Sequence, residues 1–113
     1  PESIVHPTVL LSEVSEAQRG ILRYEGTGSG VDITIDKTPF VIGSDPSCDA
    51  CIKNRAVSRQ HARITRTEDI YFIEDLNSSN GTTVGGELLN YKTKISLQPN
   101  EVISFANEKY RFL

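Results

Sequence analysis

The sequence predicts an all-β fold, a sandwich or a barrel of short strands. From Ile21 onward, short apolar segments recur, each closed by turn-forming residues. Asp32-Ile33-Thr34-Ile35-Asp36 alternates with a period of two, which puts Ile33 and Ile35 on one face and the polar residues on the other. No stretch holds apolar residues at the 3.6-residue period long enough to make a core helix.

The strands follow in chain order. Ile21-Leu22-Arg23-Tyr24 runs into the turn-rich Gly26-Thr27-Gly28-Ser29-Gly30. After the Asp32–Asp36 strand, Lys37-Thr38-Pro39 turns the chain into Phe40-Val41-Ile42, which stops at Gly43. A polar loop leads to a short apolar point at Ile52, and a second loop leads to Ser58. Ala62-Arg63-Ile64-Thr65 alternates inward and outward. Ile70-Tyr71-Phe72-Ile73 is unbrokenly apolar and reads as a strand covered on both faces. Glu68-Asp69 is the expected hairpin between these two. Thr82-Thr83-Val84 meets Gly85-Gly86, a pair suited to a tight turn at positive φ. Ile95-Ser96-Leu97, Val102-Ile103-Ser104-Phe105 and Tyr110-Arg111-Phe112 complete the set, with Asn100 and Asn107 as the expected turn residues.

Pro1 to Gly20 has scattered apolar residues around a Ser/Glu-rich centre. It reads as a flexible N-terminal arm or linker, residues 1–20, with one helical turn in Ser12 to Arg19. Residues 21–113 form the expected domain. A length of 113 residues suits one domain, and a start at Pro1 rather than Met points to a piece of a longer chain. No apolar run approaches the roughly 20 residues of a spanning helix, so no membrane contact is expected of this domain.

A net charge of -3 argues against a nucleic-acid partner. With no Trp or Met, aliphatic side chains must fill most of the core. Cys48 and Cys51 share a Cys-x-x-Cys spacing, but no second pair and no paired histidine complete a metal site. They read as small, partly buried core thiols in a reducing compartment, which leads to a cytoplasmic expectation with no metal and no cofactor.

Charge is uneven. From Ala50 to Thr67 there is no acidic residue, while Lys53, Arg55, Arg59, Arg63 and Arg66 are present. Such a local positive patch on an acidic domain suits a small anion or a modified peptide, or a plain solvated face. Two loops favour the anion. Ser58-Arg59-Gln60-His61 precedes a strand, and Asn77-Ser78-Ser79-Asn80-Gly81-Thr82-Thr83 carries more hydroxyl and amide donors than a turn requires. A phosphate dianion needs several donors converging from separate segments. His61 has no triad partner in view and reads as a structural histidine that holds the loop. Glu74 and Asp75 read as partners for nearby arginines rather than as an acid/base pair.

Taken in order, Ile42-Gly43, Ser44-Asp45-Pro46-Ser47-Cys48-Asp49, Val57-Ser58-Arg59-Gln60-His61-Ala62, Asp75-Leu76-Asn77-Ser78-Ser79-Asn80-Gly81-Thr82 and Val84-Gly85-Gly86 resemble a forkhead-associated (FHA) domain. The resemblance covers about residues 21 to 113. It implies a two-sheet β-sandwich of about eleven short strands whose loops at one end bind phosphothreonine peptides in signalling. Ser58 resembles the serine that bonds the phosphate, and Arg59 a second phosphate contact. Ser79 stands where a hydroxyl residue reaches the phosphothreonine, and Asn80 where an asparagine bonds the peptide backbone. Gly43, His61 and Gly81 match scaffold positions.

One departure matters: the family's usual Gly-Arg is Gly43-Ser44 here, so the arginine that clamps phosphate is missing. Loss of one charge-assisted hydrogen bond costs about 1.5 to 3 kcal/mol, which weakens affinity by roughly one to two decades. Lys53 or Arg55 is the expected substitute. Milder departures are Gly85 where Asn is common and Asn100-Glu101 where Gly-Asp is common.

The expected function is a non-enzymatic phosphothreonine-peptide recognition module. A phospho-independent interaction sandwich is the alternative, which Ser44 favours. Thr8 is a candidate phosphosite that would occupy the domain's own site or that of a neighbouring chain, with an unmodified linker threonine as the plainer reading.

Overall fold

The computed structural model describes residues 20–113. Thr8, the expected helical turn in Ser12 to Arg19 and nearly all of the expected arm therefore lie outside the described residues. Eleven strands run through the described chain in two sheets. They are β1 (Gly20–Tyr24), β2 (Ile33–Ile35), β3 (Phe40–Gly43), β4 (Ala50–Cys51), β5 (Ala62–Thr67), β6 (Ile70–Asp75), β7 (Thr82–Val84), β8 (Glu87–Leu88), β9 (Ile95–Ser96), β10 (Val102–Phe105) and β11 (Glu108–Phe112). One sheet has the order β2-β1-β11-β10-β7-β8, the other β4-β3-β5-β6-β9. Among the described residues all ladders are antiparallel except that of β3 with β4.

Alternation builds the interior. Leu22, Ile33, Ile35, Ile103, Phe105 and Tyr110 of the first sheet and Phe40, Ile42, Ala62, Ile64 and Ile73 of the second belong to one buried cluster. Edge-on aromatic contacts lock it: Tyr71 to Phe112 across the layers at 5.5 Å, and Phe105 to Tyr110 at 5.7 Å between centroids. Burial pushes the Tyr110 phenol up to about 12, with neighbouring Glu108 adding to the shift.

Several turns follow local chemistry. Glu68 takes φ 57° between β5 and β6, and Gly85 and Gly86 take 59° and 85° between β7 and β8, as a primed two-residue hairpin demands. Asn100 takes 72° before β10.

Three details go beyond or against the sequence reading. β4 lies at Ala50–Cys51, while Ile52 follows it and plugs the core at 7% exposure. The β6 strand is covered on one face only: Tyr71 and Ile73 are buried, but Ile70 is 50% exposed and Phe72 half-buried. Among the described residues no third layer lies over the outer face of that sheet. Finally, Asn107 lies in the turn between β10 and β11 as expected, but the positive φ there belongs to Ala106 (59°). The Ala106 N–H is held by the Gly81 carbonyl at 3.0 Å, and the Asn107 side chain is engaged elsewhere.

Candidate functional site

The site is built on a close approach of two loops at the end of β3. Gly43 has no side chain because there is no room for one: a Cβ would sit 1.9 Å from the Arg59 carbonyl oxygen. Through this notch the backbone of the β3–β4 loop is zipped to the β4–β5 loop. The Ser44 N–H donates to the Ser58 carbonyl at 2.9 Å and the Asp45 N–H to the Arg59 carbonyl at 3.2 Å. One thiol adds to the zip and the other ties the β3–β4 loop to the end of β4. Cys48 Sγ donates to the Arg59 carbonyl at 3.0 Å and Cys51 Sγ to the Ser44 carbonyl at 3.4 Å. Burial pushes the Cys48 thiol up, which favours its role as an S–H donor. Asp49 pins the loop's far end, accepting from the Val41 N–H and pairing with Lys37 at 2.6 Å.

Beneath the loops, His61 is fully buried. Its Nδ1 accepts the Ser58 N–H at 3.0 Å, so its other nitrogen carries the hydrogen and donates to the Gly81 carbonyl at 2.8 Å. One imidazole thereby spaces the Ser58 loop from the β6–β7 loop. Asp75 does the same work within the β6–β7 loop. Its carboxylate accepts the Thr82 hydroxyl at 2.6 Å, the Ser78 hydroxyl at 2.6 Å and the Ser78 N–H at 2.9 Å. Burial alone would raise the Asp75 pKa, but the bonds from Ser78 and Thr82 outweigh it and hold the carboxyl below its usual range. The Gly81 N–H bonds the Ser78 hydroxyl at 2.9 Å, and Gly81 takes φ 89°.

On this platform the two loops meet. The Ser58 hydroxyl oxygen accepts the Ser79 N–H at 2.9 Å, which leaves its own hydrogen free to donate. Asn80 Nδ2 donates to the Ala56 carbonyl at 2.8 Å. Ser79, Asn80 and Arg59 are exposed, and Ser58 is half-buried. Asn54 ties the same loop to the β10–β11 turn: its Nδ2 donates to Asn107 at 2.9 Å and Glu108 at 2.8 Å, while its Oδ1 accepts the Ala56 N–H. Arg59 also sits near Asp45, a carboxyl held below its usual range chiefly by bonds from Ser47, with the guanidinium adding to the effect.

Of the residues singled out in the sequence, Ser58, Ser79 and Asn80 are thus joined by direct loop-to-loop contacts, with Arg59 next in the chain to Ser58. Gly43, His61 and Gly81 lie in the supporting layer, and Ser44 sits half-buried on the backbone zip. Lys53 and Arg55 are exposed. Lys53 lines a separate hollow of about 250 Å³ with Ser29, Val31 and Glu108. Glu74 pairs with Arg63 at 2.9 Å, as the sequence suggests, whereas Asp75 takes hydroxyls instead of an arginine. Asn54 escaped notice: an asparagine in a polar loop carries no signal beyond turn propensity. Among the described residues no three His, Cys, Asp or Glu side chains cluster as metal ligands would.

Two loops at one end of a two-layer sandwich thus converge into a polar, donor-rich surface. A sequence model of the FHA domain matches residues 40–106, more than half of the chain, and the chain belongs to the FHA family. It is 32% identical over 66 residues to the FHA domain-containing protein FhaB of Mycobacterium tuberculosis. That match covers 58% of this chain and 43% of FhaB, so the chain spans less than half the length of the curated relative. The FHA domain of the CT664 protein from Chlamydia trachomatis has the same fold at a TM-score of 0.73 and 29% identity, covering 84% of this chain and 96% of that one. Mycobacterium tuberculosis EmbR, solved in complex with a low affinity phosphopeptide, shares the fold at 0.75 and 24% identity, over 98% of this chain and 30% of EmbR.

Proposed function

We propose that this domain is a non-enzymatic module that docks a phosphothreonine segment of a partner protein at the end where the β4–β5 and β6–β7 loops meet. The observation that carries the reading is the Ser58 hydroxyl, which accepts the Ser79 N–H and so brings donors of two loops together with Arg59 and Asn80 exposed beside them. In this reading Ser58 and Arg59 bind the phosphate, Ser79 reaches the phosphothreonine, and Asn80 bonds the peptide backbone beside it. Solved FHA domains with phosphothreonine-dependent interactions, and EmbR with its phosphopeptide, support the class of ligand.

Ser44 supplies a hydroxyl where the family usually supplies a guanidinium, so affinity is lower than an arginine-clamped site would give. Arg55 is the better candidate substitute, because it neighbours Ala56, whose carbonyl receives Asn80, while Lys53 lines another hollow. Arg55→Ala then weakens a phosphopeptide at least tenfold, about 1.4 kcal/mol, by calorimetric titration. We place the module in the cytoplasm, within a longer chain, acting after a kinase and touching neither nucleic acid nor membrane.

Titration with degenerate phosphothreonine peptides and their unphosphorylated twins, followed by backbone amide shifts, tests this. Only the phosphorylated pool should move Ser58, Arg59, Ser79 and Asn80. Equal shifts from both pools would favour the second reading, a sandwich that binds its partner without phosphate, which Ser44 supports.

A further inference from the structure

We propose that Cys48 and Cys51 are a redox modification site: a peroxide joins them in a disulfide and thereby shifts the β3–β4 loop against the β4–β5 loop. Both thiols are free, Cys51 exposed and Cys48 half-buried. They flank the same glycine. Cys51 is the register partner of Gly43 in the parallel β3–β4 ladder, so it projects on the side where a Gly43 side chain would stand. Cys48 Sγ lies 3.0 Å from that same Cβ position, filling the notch the glycine leaves.

Each thiol also spends its only hydrogen on a carbonyl of the zipped loops, Cys48 on Arg59 and Cys51 on Ser44. Forming a disulfide removes both hydrogens, and the bond geometry draws Cys48 toward Cys51 and out of the notch. The two loops lose one tie to each other, and the β3–β4 loop loses a second to the end of β4.

The chemistry balances without a metal. The exposed Cys51, as thiolate, attacks one peroxide oxygen; the O–O bond breaks, an S–O bond forms, and the other oxygen leaves as water after taking a proton. The Cys48 sulfur then displaces hydroxide from the Cys51 sulfenic acid, losing its proton as the S–S bond forms and the S–O bond breaks. Two thiols and one peroxide become one disulfide and two waters. Burial, which raises the Cys48 pKa, leaves the first attack on peroxide to the exposed Cys51.

The consequence for binding rests on the phosphothreonine reading above; the disulfide does not. The test treats the reduced chain with hydrogen peroxide and follows intact mass, proteolytic fragments and backbone amides, with Cys51→Ser alongside. Expected are a mass lower by two hydrogens, a Cys48–Cys51 cross-link reversed by dithiothreitol, and amide shifts at Gly43, Ser44 and Arg59. Cys51→Ser gives none of these. Oxygen addition without a cross-link, a disulfide between chains, or a cross-linked form whose Ser44 and Arg59 amides stay in place would overturn the proposal.

A phosphothreonine peptide that binds the reduced form should bind the oxidised form about tenfold more weakly, and equal affinity removes the regulatory consequence. If neither form binds, the phosphothreonine reading fails while the mass and amide results still decide the disulfide.

Discussion

A single oxygen, the Ser58 hydroxyl, joins two loops whose bonded residues lie 21 positions apart in the chain. Ser58→Ala removes both the acceptor for the Ser79 N–H and the donor offered to a ligand, while the buried His61 beneath keeps the loop in place. Phosphopeptide affinity should fall by about tenfold or more, on 1.5 to about 3 kcal/mol for a hydrogen bond to a charged group, with fold and melting temperature nearly unchanged. Asp75 governs the platform instead. Its pKa is depressed in the fold, so its stabilisation is complete above the unfolded value near about 4 and is lost as pH falls through the folded value. Denaturant unfolding across acid pH should therefore steepen below about 4 in the native chain and flatten in Asp75→Asn. Residues 58, 79 and 80 were legible because hydroxyl and amide side chains crowd two loops beyond what turns need. Asn54 and the Asp75–Thr82 bond were not, since their meaning lies in partners that sequence neighbours do not reveal.

Hairpins show how far local chemistry carries an element. Glu68-Asp69 and Gly85-Gly86 were readable because a two-residue connection between pairing strands needs positive φ within a four-residue window. Gly86 has open space where a Cβ would go, so Gly86→Ala tests the backbone alone: φ 85° should cost about 1 to 2 kcal/mol in urea unfolding, with no change in binding. The β10–β11 turn defeated the same logic. Its positive φ falls on Ala106 because Gly81, in a different loop, holds the Ala106 N–H, a tertiary demand that overrides the preference for asparagine. β4 carries no sequence signal for a related reason: two residues pairing in parallel leave no alternation to detect, and only the buried isoleucine beside them marks the place.

Across the whole molecule, sheet order was not written in any periodicity. Which strand lies beside which is a non-local fact; the resemblance to a family implied two sheets of about eleven strands but no strand order. β1 pairs with β11, Leu22 opposite Phe112, so the first sheet closes only when the two ends of the described chain meet. Such long-range pairing predicts folding in milliseconds to seconds rather than microseconds, measurable by stopped-flow dilution from urea; a microsecond phase carrying the full amplitude would contradict it. The same pairing fixes where the two ends of the described chain lie. The Leu113 N–H bonds the Ile21 carbonyl at one end of β1, whereas Tyr24, at the other end, bonds Glu108, which in turn holds Asn54 of the β4–β5 loop. First and last strands thus leave side by side, away from the loops, like the two wires of a plug whose prongs face outward. Spliced into a surface turn of a host protein, or with its ends fused and new ones cut elsewhere, the sandwich should keep its loops unobstructed.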